Sequence, residues 1–245
     1  MSISLPRMAA VAVILIAIPL VVVSFRWAMA DMYTYPVRYA VERWQSQEEV
    51  VTLAALDKAT DKIDTALSWS SNNAEYHELK ARLLLYRALL VKEKIKDRLK
   101  EQPNENSKEL SELSELFADF EANIRQALFL HESAIQFRPH WPYSWANKSL
   151  MKAHLGEFDQ EFLVAIEHAA QYGPWELSAN LTVLEAGLMG WRQLKPASRV
   201  MVIAAAERAA EHRFKMVRVL LDRYALRYPV CAQMARTSQQ QKLCQ

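Results

Sequence analysis

The chain has 245 residues, 51% of them apolar and 24% charged, which specifies a packed, folded protein of one large or two small domains and excludes wholesale disorder. Thirty basic residues against 28 acidic ones leave a net charge of +2, too even a balance for nucleic acid to be the expected partner.

Residues 8–25 run without a charge and are apolar apart from Ser24, with Pro19 inside the run. As a helix it covers about 27 Å at ~1.5 Å per residue, close to the ~30 Å hydrocarbon core of a bilayer. Arg7 precedes the run, and Arg26 with Trp27 closes it, as an interfacial charge and an aromatic anchor do. The spacing predicts a transmembrane anchor over residues 8–27, after a cytoplasmic tail of residues 1–7. The alternative is a signal peptide cleaved after Ala28-Met29-Ala30, a small-x-small site, although the run exceeds the usual ~7–15 residues of such a segment. The positive-inside rule does not choose the orientation, because Arg7 and the terminal amine oppose Arg26, Arg38 and Arg43. With the short tail inside, everything beyond the run is exported.

Residues 28–45 read as a juxtamembrane segment and residues 46–230 as a helical domain. Apolar residues recur there at spacings of three and four, with Ala, Leu, Glu, Lys and Arg abundant and no convincing strand alternation. A helix closes at Ala66-Leu67-Ser68-Trp69, and the chain turns and reopens at Ala74-Glu75. The same pattern returns 68 residues later at Ala134 to Pro139 and again 35 residues later at Ala169 to Trp175, the spacing of a tetratricopeptide-like array with its period of about 34 residues. The clearest unit spans residues 142–174: Pro142 suits a first helical turn, Trp145 fills the groove between paired helices, Gly156 makes the turn, and Phe158, Phe162 and Ile166 form the second helix's buried stripe. Residues 90–114 break the phase, reading as a long helix end, a solvated loop through Pro103 and a new helix from about Lys108; the basic run Lys92, Lys94, Lys96, Arg98 and Lys100 is interleaved with acids and reads as a solvated face. Further helices follow to about Trp191, then one that Lys195-Pro196-Ala197-Ser198 starts and that runs through residues 200–213, and a last one over roughly residues 216–227, with Pro229 as the stop and residues 237–242 as a polar tail. The expected fold is therefore all-α: an N-terminal transmembrane helix, then a tetratricopeptide-like, right-handed helical-repeat (α-solenoid) domain. Residues 231–245 form a C-terminal tail holding Cys231 and Cys244, the only two cysteines. They are either one disulfide in an oxidising compartment, worth ~3 kcal/mol, or two unrelated thiols.

Catalytic templates are absent. The four glycines, Gly156, Gly173, Gly187 and Gly190, build neither a dinucleotide fingerprint nor a P-loop. The six histidines form no zinc-binding motif, and no G-x-S-x-G elbow or nucleophilic cysteine motif occurs. No catalytic residue, cofactor or metal is expected. A glycosidase built on two carboxylates needs no fixed spacing and stays open as an alternative.

The most unusual local sequence is Arg138-Pro139-His140-Trp141-Pro142-Tyr143-Ser144-Trp145, echoed by Gly173-Pro174-Trp175-Glu176. Two readings apply: tryptophans that pack successive repeats at their turns, or an aromatic groove that stacks on sugars or clasps a partner, with Arg138 and Glu176 as polar contacts. The candidate partner-binding residues are Arg138, Trp141, Tyr143, Asn147, His154, Trp175 and Glu176; Asn147, Leu150, Lys152 and His154 are expected to face the inner groove. These segments, with Gly156-Glu157-Phe158-Asp159 and Ala186-Gly187-Leu188-x-x-Trp191, resemble the VpsP family of membrane-anchored exopolysaccharide-biosynthesis proteins. The resemblance covers about residues 134–194 and the anchor layout. It implies a role in making or exporting a biofilm or capsule polysaccharide, with no catalytic residues to carry over. The leading expectation is a non-catalytic, inner-membrane scaffold whose periplasmic repeat domain contacts polysaccharide polymerase, ligase or export proteins. A general envelope assembly factor is the competing expectation, and the oligomeric state is not legible.

Overall fold

The computed structural model describes residues 5–100 and 107–245. The loop expected through Pro103 lies outside the described residues, as do residues 1–4 of the expected tail. Among the described residues there is no strand. Ten helices follow in order: α1 (Leu5–Gln45), α2 (Leu53–Trp69), α3 (Ala74–Lys100), α4 (Ser107–Phe137), α5 (Pro142–His154), α6 (Gln160–Tyr172), α7 (Leu177–Met189), α8 (Pro196–Arg223), α9 (Arg227–Cys231) and α10 (Ser238–Cys244). The chain divides into two compact units, Met1–Leu83 and Leu84–Gln245, the division falling inside α3.

In the first unit α1 runs unbroken through both Pro19 and Pro36. Its part from Ala10 is long and apolar enough to cross a membrane, and side chains such as Leu15, 66% exposed, have no protein against them. The surface changes character at Ala30. From there Ala30, Thr34, Val37, Val41 and Trp44 are buried, a stripe at spacings of four and three that faces the rest of the unit. Helix α2 packs along α1 and contributes Leu56, Ala59, Ile63 and Ala66. Thr52 caps it, its hydroxyl accepting the Ala55 N–H at 3.2 Å, which satisfies one of the free donors of the first turn. Arg38 ties α1 to α3 through both Glu75 oxygens, 2.5 and 3.0 Å, and also reaches Asp31 at 2.7 Å.

In the second unit, from α4 on, each helix packs on the next, and some reach the next but one: α5 against α6 and α7, α6 against α7 and α8, and α7 against α8. Helices α5, α6 and α7 have 13 residues each, whereas α4 has 31. Pro142 opens α5 and Asp159 caps α6, accepting the Phe162 N–H at 3.0 Å. Gly156 sits between them at φ +73, a left-handed conformation that glycine adopts without steric cost. Phe162 and Ile166 are fully buried.

Two carboxyl-terminal expectations are corrected. The boundary expected after residue 213 is present as a kink at Arg213 (φ −140, ψ 53) inside α8, but the helix beyond it stops at Arg223, short of residue 227, where Ala225 turns left-handed at φ 54. Pro229 is therefore not the stop; it lies within α9, near a helix start where a missing N–H removes no helical bond. The stretch read as a polar tail is α10, capped by the Thr237 hydroxyl, which accepts the Gln240 N–H at 3.1 Å. Cys231 and Cys244 form a disulfide with their Cα atoms 5.8 Å apart. Leu243 is fully buried, and Arg218 donates to the backbone carbonyls of Lys242 and Leu243, the latter at 3.2 Å.

Candidate functional site

The turns before α5 and α7 come together as the two halves of one structure. Gly173 lies so close to Pro142 that an added Cβ would sit 2.5 Å from the proline Cβ; only a residue without a side chain lets the two turns meet. Tyr143 donates its hydroxyl to the Glu176 carboxylate across the junction. Burial, then this hydrogen bond, pushes the Tyr143 phenol up to about 12. Asn180 donates to the carbonyls of Pro174 and Glu176, both at 3.0 Å, while its own carbonyl accepts from Arg208 Nε at 2.9 Å. A buried polar chain thus runs from α8 through α7 to the turn. Neither Asn180 nor Arg208 stands out in the sequence, since an Asn inside an apolar helix announces no partner.

On this braced junction Trp175 is 77% exposed. Trp141, also exposed, has the Arg138 guanidinium 5.7 Å from its ring centre and the Tyr143 ring at 5.2 Å. Behind them Trp145 donates to the Pro139 carbonyl at 2.7 Å and stacks on His168 at 4.4 Å; His168, Tyr172 and His140 continue the line of rings at 5.3 and 5.0 Å. Five of the seven candidates, Arg138, Trp141, Tyr143, Trp175 and Glu176, are brought together here. Trp145 packs between α5 and α6, in the groove of the paired helices where it was expected, and Trp175 is exposed. A large exposed aromatic on a braced backbone turn is the kind of side chain that anchors an interface.

Asn147 and His154 lie further along α5 on the Tyr143 side, half-buried. His154 meets the Phe120 ring edge-on at 6.1 Å, and Lys92 places its ammonium 5.9 Å from the centre of the same ring. Burial, reinforced by the Lys92 charge, pushes the His154 imidazole down to about 4. Burial likewise lowers the Lys92 ammonium, so this residue leaves the solvated face on which it was expected. Leu150 shares the Tyr143 side of α5 and is buried; Lys152 does not face a groove. At 100° per residue Lys152 lies on the opposite side of α5 from Tyr143; it is 3% exposed and bonded to Glu157 and Asp159, both at 3.0 Å. Burial alone would lower its pKa, but these two carboxylates outweigh burial and raise it. The cluster is a clamp on the α5–α6 turn.

In the first unit a groove of about 340 Å³ is lined by Arg38, Val41, Glu42, Glu75, Leu79 and Arg82; Arg38 there is held by Glu75 and Asp31. Among the described residues no three His, Cys, Asp or Glu side chains converge as a metal set. No protein-family model and no curated protein matches the chain.

Proposed function

We propose that this chain is a single-pass inner-membrane protein whose exported helical domain acts without catalysis, docking components that polymerise, ligate or export an exopolysaccharide. The observation that carries the reading is the exposed Trp175, held on a turn braced by Gly173 against Pro142, by Tyr143 on Glu176 and by Asn180. Such rigidity limits the entropy lost when a partner covers the ring. Trp141 and Arg138 extend the same edge with an aromatic face and a charge. The sequence resemblance to the VpsP family supplies the process.

The remaining elements of the proposal have their own support. Helices α4 to α8, which pack on the next and in part on the next but one, support a repeat-like stack within the second unit. The disulfide favours an oxidising compartment, the periplasm. An uncleaved anchor is favoured by contacts upstream of the Ala28-Met29-Ala30 site: Arg26 and Phe25 both engage Trp69, and Ala30 is fully buried. Cleavage there would remove all three.

The test is genetic and chemical. A photo-crosslinker replacing Trp175 in living cells is expected to capture a polymerase, ligase or exporter of the polysaccharide. Joint Trp141→Ala and Trp175→Ala replacement is expected to lower polymer yield or chain length while the protein level holds. Deletion of the whole chain with yield and chain length unchanged would overturn the proposal.

A further inference from the structure

We infer that the turn between α2 and α3, centred on Trp69, lies in the headgroup layer of the bilayer that α1 crosses, so that the first unit is seated on the lipid surface. The inference rests on α1 being a membrane span. The apolar run of α1 ends at Phe25, and ~20 helical residues fill the hydrocarbon core, which puts the boundary of the core between Phe25 and Trp27. Trp69, the last residue of α2, touches this level directly: its ring lies edge-on to Phe25 with centroids 6.0 Å apart. Its backbone carbonyl accepts two bonds from the Arg26 guanidinium, 3.1 and 2.9 Å. The headgroup layer is roughly 5–7 Å thick on each side of the core, so a ring in contact with Phe25 cannot stand above it.

The chemistry of the segment agrees. Trp27, two residues beyond Phe25 on α1, is 64% exposed, and indoles favour the interface, where an apolar body meets a polar N–H. Residues 67–74, Leu-Ser-Trp-Ser-Ser-Asn-Asn-Ala, carry no charge, so no carboxylate is pressed against lipid phosphate. The hydroxyls and amides of Ser71 and Asn72 are exposed, suited to headgroup hydrogen bonds. Arg26 stabilises the arrangement from two directions. It caps a carbonyl left free at the C-terminus of α2, where a cation complements the helix dipole, and it holds its charge at the polar boundary.

The experiment places a single environment-sensitive fluorophore on the full chain, at Ile16→Cys, Ser71→Cys or Val50→Cys. The native disulfide stays oxidised, so only the introduced thiol reacts. All three sites are exposed. Each labelled chain is reconstituted in phosphatidylcholine vesicles carrying a nitroxide quencher at the headgroup or at mid-chain. The inference expects mid-chain quenching at Ile16, headgroup quenching at Ser71 severalfold above that at Val50, and little at Val50. If Ile16 is quenched but Ser71 matches Val50, the unit stands off the surface and the inference fails while the span survives. If Ile16 is not quenched, the span itself is wrong and the inference falls with it.

Discussion

His154 is the residue whose environment makes the sharpest statement about pH. Its imidazole is buried beside Phe120 and opposed by the Lys92 charge, which together hold it neutral down to about 4 instead of 6.5. Because the folded value lies below the unfolded one, the unfolded chain takes up the proton first as pH falls. The contribution is therefore complete above pH 6.5 and lost progressively on the way down to about 4. At about 1.4 kcal/mol per pH unit the loss is on the order of 3 kcal/mol across that window. Urea unfolding followed by tryptophan fluorescence should show this decline in the wild-type chain and a shallower one in His154→Gln; equal slopes would contradict it. The sequence made His154 a candidate because it lies further along the helix that opens at Pro142, where an inner groove was expected. It did not reveal the burial, which comes from Lys92 and Phe120, on two other helices. Lys152 misled for the opposite reason. Its long charged side chain reads as surface, yet Glu157 and Asp159, contributed by the turn it clamps, satisfy it in the interior.

Helix ends followed the local chemistry where that chemistry is strong. Asp159, Gly156 and Pro142 act at the positions their side chains dictate, and the recurring turns after Trp69, Phe137 and Tyr172 are where the repeat spacing puts them. The carboxyl-terminal helices were less legible. Helix α8 ends on a left-handed alanine, not a glycine, and α10 has too few apolar residues to show a period; burial of Leu243 and the bonds from Arg218 hold it. A close helix crossing was also silent in the sequence. A Cβ added to Gly187 on α7 would sit 2.3 Å from a Val202 methyl on α8. Alanine gains about 1 kcal/mol of helix propensity over glycine, but forcing a methyl into a packed, χ1-stiff valine costs roughly 1–3 kcal/mol, so the clash should win. Gly187→Ala is expected to destabilise the chain, and adding Val202→Ala should recover part of the loss. A double-mutant cycle would then give a coupling energy of about 1 kcal/mol, whereas simple additivity would show that the helices move apart freely.

At the scale of the whole chain, one covalent bond carries information about where the protein lives. The sequence left Cys231 and Cys244 open between a disulfide and two thiols, because twelve intervening residues permit either. What brings them together is tertiary: α9 is a single short turn, α10 folds back against α8, and Gln240 donates to the Cys231 carbonyl at 3.2 Å. A bond closing so short a loop is worth ~3 kcal/mol by its restriction of the unfolded chain. Most of that belongs to the docking of α10, since the rest of α8 is buried through other residues such as Val202, Ala206 and Ala209. Paired Cys231→Ser and Cys244→Ser replacement should therefore speed hydrogen exchange across α10 by about two orders of magnitude, each factor of ten being ~1.4 kcal/mol, and leave α5 to α7 protected. The same bond reports the compartment. Cells trapped in acid and treated with a thiol-blocking reagent should yield a chain that reacts only after reduction. Two freely alkylated cysteines in that experiment would mean that the body stays in a reducing compartment, and the orientation proposed for α1 would have to be reversed.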